Sequence, residues 1–105
     1  MPDVSINFEV HQPLRLNANF TDGAAREKRP EELFDVYFDN IWNKEIFERV
    51  TKKCYFPANK IILDNIDRFR KEKRKFKVAY SISGVIAEQC ERWAPDLLDS
   101  FKQLS

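Results

Sequence analysis

Apolar and polar residues alternate from the start of the chain. Val4, Ile6, Phe8 and Val10 fall on one side of an extended segment, and Ser5, Asn7, Glu9 and His11 on the other. Strand side chains alternate with period two, so the pattern predicts a strand over residues 4–11. Pro13 lacks an N–H and cannot extend a ladder, which ends the strand near His11. A second alternation follows late in the chain. Phe76, Val78, Tyr80 and Ile82 interleave with Lys77, Ala79, Ser81 and Ser83, and the segment closes at Ser83-Gly84.

Elsewhere the period is helical. Ile46, Phe47, Val50 and Cys54 form an amphipathic stripe. Asn43 is its expected N-cap, with Glu45 in the first turn. Pro57 is expected to interrupt the helix and to sit in the first turn of a second one, from about Ala58 to Lys71, whose apolar face is Ile62, Leu63, Ile66 and Phe69. After the second strand, Val85, Ile86, Gln89, Cys90 and Trp93 continue as a helix. Pro95 opens a last helix with Leu97, Leu98, Phe101 and Leu104 as its buried stripe.

Between His11 and the first helix lies a long irregular stretch, about residues 14–40. It carries the turn signal Thr21-Asp22-Gly23, the charged cluster Arg26-Glu27-Lys28-Arg29, and the aromatics Phe34, Tyr37 and Phe38. A loop of this length without structure is uncommon in a folded domain unless it serves a site, so its aromatics are expected to pack down, as an anchor or as a wall for a ligand. The resulting order is strand, long loop, two helices, strand, two helices. Two strands joined through helices are expected to be parallel.

Composition narrows the function classes. The 105 residues suffice for one domain spanning 1–105. A hydrophobic fraction of 43% with 33% charged residues is that of a globular chain. Net charge is +1, which gives no global argument for nucleic acid or membrane. The basic run from Arg68 to Lys77 reads better as a solvated helix C-terminus, where cations are favoured, than as a nucleic-acid patch. No apolar run approaches the roughly 20 residues of a membrane span, and no basic-then-apolar leader is expected at the N-terminus. Cys54 and Cys90 lack metal-ligand spacing and are expected to be buried, reduced thiols of a cytoplasmic protein, with a disulfide between them the minor alternative. Two isolated glycines make no phosphate loop, and one histidine makes no zinc site.

That histidine, His11, ends a strand on its polar side, where it is either a hydrogen-bonded turn residue or the floor of a site. The segment Val10-His11-Gln12-Pro13 with Leu14-Arg15-Leu16 resembles the first motif of glycoside hydrolase family 57, the α-amylase and 4-α-glucanotransferase group, so either hydrolysis or glucanotransfer is implied. Tyr37-Phe38-Asp39, Cys54-Tyr55-Phe56-Pro57-Ala58-Asn59, Tyr80-Ser81-Ile82-Ser83-Gly84 and Glu88-Gln89 also look like the α-amylase branch of that family, in order along nearly the whole chain.

The resemblance implies an α/β fold: a β-α-α-β-α-α piece of a (β/α)7 barrel, with two parallel strands and a long loop after the first. It implies action on α-glucans or maltooligosaccharides with retention, without metal or organic cofactor. Retention takes two carboxyl groups about 5 Å apart, a nucleophile and an acid/base. In the family these are a Glu and an Asp on later strands, so no catalytic residue is assigned here. The candidate substrate-binding residues are His11, which the resemblance assigns to holding the sugar, with Gln12, Glu9 and Ser83. Glu9 lies one inward step deeper than His11 and is expected to be a buried partner that orients the sugar-holding residue rather than a nucleophile.

A barrel of this kind commonly takes ~250 residues. The chain is therefore expected to be a piece that lacks glycosidase activity alone, with the rest of the barrel as its partner. The alternative is a stand-alone α-glucan-binding or regulatory module. A deacetylase-like barrel piece would need a metal ligand set that the sequence does not carry.

Overall fold

The computed structural model describes residues 4–105. Strand β1 (Asn7–Val10) and strand β2 (Ala79–Ile82) run parallel, in the register Asn7↔Ala79, Phe8↔Tyr80, Glu9↔Ser81 and Val10↔Ile82. Between them lie α1 (Asp22–Arg26), α2 (Leu33–Tyr37), α3 (Asn40–Val50) and α4 (Phe56–Arg68). After β2 come α5 (Gly84–Trp93) and α6 (Pro95–Gln103). The α/β class, the parallel pair and the closing helices agree with the hydrophobic pattern.

Both strands are shorter than the alternation predicts. Extended residues become a ladder only where a partner meets them. The outermost bonds are Ala79 N–H to the Ile6 carbonyl (3.1 Å) and Ser83 N–H to the Val10 carbonyl (3.1 Å). Val4 and Ile6 stay exposed.

The stretch at 14–40 is not structureless. It folds into α1, a 3₁₀ turn at Pro30–Glu32 and α2, and returns on itself at an antiparallel bridge between Leu16 and Phe38. Thr21 caps α1 by accepting from Ala24 N–H (3.2 Å). Phe20 stacks on Tyr37 with ring centroids 4.8 Å apart, and Phe34 tilts against Phe38 at 5.0 Å.

Helix α3 begins three residues before the expected cap. Asp39 accepts from Trp42 N–H (3.1 Å) as its N-cap, because an Asp at the end of an extended segment satisfies orphan donors as well as Asn does. Asn43 is instead fully buried.

Pro57 does not interrupt the helix either. Thr51–Tyr55 form a π-helical segment that joins α3 to α4, with Phe56 N–H reaching back to the Thr51 carbonyl. A proline removes its own helical bond and crowds the carbonyl four residues earlier, and a widened turn just before it relieves that conflict. The same widening has a second effect. Asn43, Phe47, Thr51 and Asn59 are buried at intervals of four or eight, with Tyr55 half-buried between them. Four residues of α-helix overshoot a turn by about 40°, so this spacing would spiral off one face. A π turn lags behind and cancels the drift. Cys54, placed on the buried stripe by a strict α-helical period, is one position off the inward row and is exposed, while Cys90 is buried; both are free thiols.

The core gathers Val10 of β1, Phe47 of α3, Ile86 and Cys90 of α5, Ala94, and Leu97 and Phe101 of α6. It lies on the side of the sheet that carries Phe8, Val10 and Tyr80, where Phe8 stacks on Tyr80 (5.4 Å) and Tyr80 meets the edge of Phe101 (5.8 Å). Coverage is partial. Ile62, Leu63 and Ile66 of α4 are only half-buried, and an open apolar groove of about 360 Å³ runs between Phe8, Tyr55, Ile61, Ile62, Tyr80 and Phe101. The radius of gyration is 18.2 Å, against roughly 13 Å for a closed domain of this length. Among the described residues each strand has one paired edge and one free edge.

Candidate functional site

The opposite side of the sheet is polar. Side chains there alternate with the core-facing set, so Glu9 of β1 lies beside Ser81 of β2, and His11 and Ser83 follow at the C-terminal ends of the two strands. Together with Val10 and Ile82 they line an open pocket of about 470 Å³. The His11 Nδ1 and the Ser83 Oγ are hydrogen-bonded at 2.7 Å. Ser83 is also the N-cap of α5, accepting from Ile86 N–H at 3.3 Å.

Three of the four candidate residues, Glu9, His11 and Ser83, thus share one pocket. Glu9, expected to be buried, is exposed there, because the pocket is open. Gln12 does not join them. Its side-chain Oε1 accepts from Arg15 Nη2 (3.4 Å), and its carbonyl accepts from Gln89 Nε2 (2.7 Å). Alternation alone turns Gln12 away from His11, and the chain leaves the sheet after Val10.

Several residues that hold this region carried no assigned role in the sequence. Ser81 lines the pocket. Gln89 is fully buried on α5 and fastens the residue after His11 to that helix. Its position among Ile86, Cys90 and Trp93 was legible as a polar residue on an apolar stripe, and a buried amide needs partners. Asn43 accepts from Arg15 N–H (2.8 Å) and donates to the Arg15 carbonyl (3.2 Å), so one buried side chain pairs the backbone that follows the His11 turn. The Arg15 guanidinium in turn lies over the Trp42 ring, 5.4 Å from its centroid.

The groups with shifted acidity lie on the other side of the sheet. Burial pushes the Cys90 thiol up to about 11, with Asp96 and Glu91 adding to the effect. Burial also raises the Tyr55 and Tyr80 phenols. Among the described residues no group of three or more His, Cys, Asp or Glu side chains is placed to hold a metal ion, and no helix is long and apolar enough to cross a membrane.

Chemically, the pocket offers an imidazole, two hydroxyls and one carboxylate side by side. These are donors and acceptors suited to the hydroxyls of a sugar. A single carboxylate, that of Glu9, lines it, whereas retaining glycoside hydrolysis takes two.

Comparison with known proteins bears on this arrangement. The family model "Glycosyl hydrolase family 57" matches residues 5–105. A protein of Methanocaldococcus jannaschii named "Putative alpha-amylase" is 42% identical over 101 residues, which cover 96% of this chain and 19% of that protein. The chain thus spans about a fifth of the length of the curated relative it matches. No solved structure matches it.

Proposed function

The chain belongs to glycosyl hydrolase family 57, and on that ground we propose that it forms the opening part of a (β/α)7 catalytic barrel acting on α-glucans with retention. The observation that carries this reading is the polar pocket at the C-terminal ends of two parallel strands, the end at which barrel enzymes place their sites. In the proposal His11 holds the sugar at the cleavage site through its free ring nitrogen. Glu9 and Ser81 offer further hydrogen bonds from the barrel wall.

The chemistry itself is proposed to need further βα units. The pocket presents one carboxylate, the strand edges are free, and an apolar groove lies open beside α4. Each of these fits a barrel segment whose neighbours supply the second strand pairings, the covering helices and the Glu and Asp of the reaction. The partner of this segment is then the rest of the barrel, and its ligand an α-glucan or maltooligosaccharide. Two free thiols support a reducing, cytoplasmic setting.

The test uses the purified 105-residue chain. Maltooligosaccharide is expected to perturb the His11 ring resonances without release of reducing sugar. Addition of the remaining barrel segments is expected to bring activity. Mutation-sensitive amylase activity from the chain alone would overturn its catalytic silence. A monomer that folds cooperatively and binds glucan with no need of further segments would decide for a stand-alone binding module instead.

A further inference from the structure

The Ser83 hydroxyl sits at the meeting point of three elements. Its backbone N–H donates to the Val10 carbonyl (3.1 Å) and so closes the ladder one residue before His11. Its Oγ accepts from Ile86 N–H (3.3 Å) and starts α5. The same Oγ lies 2.7 Å from His11 Nδ1. His11 and Ser83 are 72 residues apart in sequence, so only the parallel pairing of β1 with β2 brings them together.

A serine hydroxyl has one proton to donate and two lone pairs to accept with. One lone pair is taken by Ile86 N–H. If Nδ1 carried a proton and donated it, the second lone pair would be taken as well, and the hydroxyl proton would be left to the solvent of the open pocket instead of a protein acceptor. If the hydroxyl donates to an unprotonated Nδ1, every capacity that the geometry engages is satisfied. The ring proton then sits on Nε2, the ring nitrogen with no protein partner among the described residues.

From this we propose that Ser83 is the positioning residue of the site. It does not bind sugar directly; it fixes the rotamer and the Nε2–H tautomer of His11, so that a hydrogen-bond donor faces the pocket. This rests on the reading of His11 as the sugar-holding residue and refines how that residue works. The cap on α5 makes the tether stiff: the hydroxyl cannot follow the ring without releasing the first turn of the helix.

The chain has a single histidine, so the imidazole nitrogen spectrum of ¹⁵N-labelled protein reports His11 alone. At a pH where the ring is neutral, the parent is expected to hold Nε2–H over Nδ1–H by about five-fold more than the histidine of an unfolded peptide does, the ratio that an ordinary net hydrogen bond sustains. Ser83→Thr keeps both the cap and the hydroxyl and is expected to keep that ratio. Ser83→Asp keeps the cap but brings an acceptor without a proton, and is expected to reverse the ratio toward Nδ1–H. Ser83→Ala is expected to return the ring to the mixture of an unfolded-peptide histidine.

A role confined to helix capping would leave the ratio unchanged in Ser83→Asp and would overturn the proposal. So would the mixture of an unfolded-peptide histidine in the parent. Maltoheptaose added to the same samples separates the two readings. If the ratio follows residue 83 while the ring ignores the glucan, positioning stands and the sugar-holding role falls. If the glucan moves the ring signals while the ratio ignores residue 83, the positioning role falls and the sugar-holding role stands.

Discussion

Two regions of this chain are held by different physics. The helical cluster of α3, α5 and α6 buries Phe47, Ile86, Cys90, Leu97 and Phe101 against one another and against Val10. The connection from His11 to Trp42, by contrast, has no buried residue. It is fastened by backbone bonds such as Asn17 N–H to the Tyr37 carbonyl (2.8 Å) and Asp39 N–H to the Arg15 carbonyl (3.0 Å), by aromatic pairs, and by Arg92 of α5 lying 3.8 Å from the Phe34 ring centroid. Apolar burial is non-directional and stabilises in proportion to area. The connection stabilises itself through directional contacts that water can replace, each of small net value. Such a segment opens locally while the cluster stays folded. It also leads directly away from His11, so the site borders the less stable of the two regions.

The largest expected effect falls on the cluster. Phe47→Ala removes a fully buried ring that meets Trp93 at 5.9 Å. Urea denaturation should show a loss of about 3–5 kcal/mol, enough to unfold a marginal chain. A loss below about 1 kcal/mol would erase the distinction between the regions, since the same substitution at exposed Tyr37 or Trp42 is expected to stay within about 1 kcal/mol.

Asn43 joins the two regions and should give the next effect. Asn43→Ala leaves the Arg15 N–H without its buried acceptor and is expected to cost about 1–3 kcal/mol. Hydrogen exchange should show the signature: amides within 14–39 lose protection, while those of α5 and α6 keep theirs. Uniform loss across both would mean that the connection is part of the cooperative core.

Asp39→Ala removes the cap of α3 and should cost about 1 kcal/mol by the same denaturation assay. Asp39→Asn or Asp39→Ser should restore most of it. No loss would place the start of α3 under the control of the Phe38 bridge rather than of the cap.

The smallest effect at neutral pH is the one carried by Cys90, and it appears only in alkali. The folded protein holds the thiol proton up to about pH 11, against an ordinary value of 9.0. The unfolded chain therefore loses its proton first as pH rises. This contribution to stability is full below pH 9, falls between 9 and about 11, and does not fall further above that. Tyr55 and Tyr80, also raised by burial, act in the same direction above pH 10. The denaturation midpoint should drop across this window, and less so in Cys90→Ala. Thiol labelling at neutral pH should modify Cys54 quickly and Cys90 only on unfolding.

Much of the fold was readable from pattern. The strands at 7–10 and 79–82, within the alternating segments, the helix after the second strand and the helix that opens at Pro95 each follow from local chemistry: period-two alternation, an apolar 3.6 repeat, a proline in a first turn. The family resemblance read from five short motifs agrees with the match over residues 5–105. What misled was also local. Pro57 is a helix breaker by propensity, yet a π turn absorbs it. Asn43 is a good cap by residue type, yet its amide is spent on the backbone of Arg15, 28 residues away.

The sequence by itself determined which residues face together along each element, because backbone geometry fixes periods of 2 and about 3.6 without help from the rest of the molecule. It thereby determined that Glu9 and His11 share one side of the first alternating segment, and Ser81 and Ser83 one side of the second. It did not determine that these two polar rows would be neighbours, nor that His11 and Ser83 would meet at 2.7 Å. That depended on the parallel register of strands separated by the whole of α1 to α4, and on Ser83 being pinned by the first turn of α5. Contacts across such sequence distances are set by the joint packing of every intervening element, which no local pattern encodes.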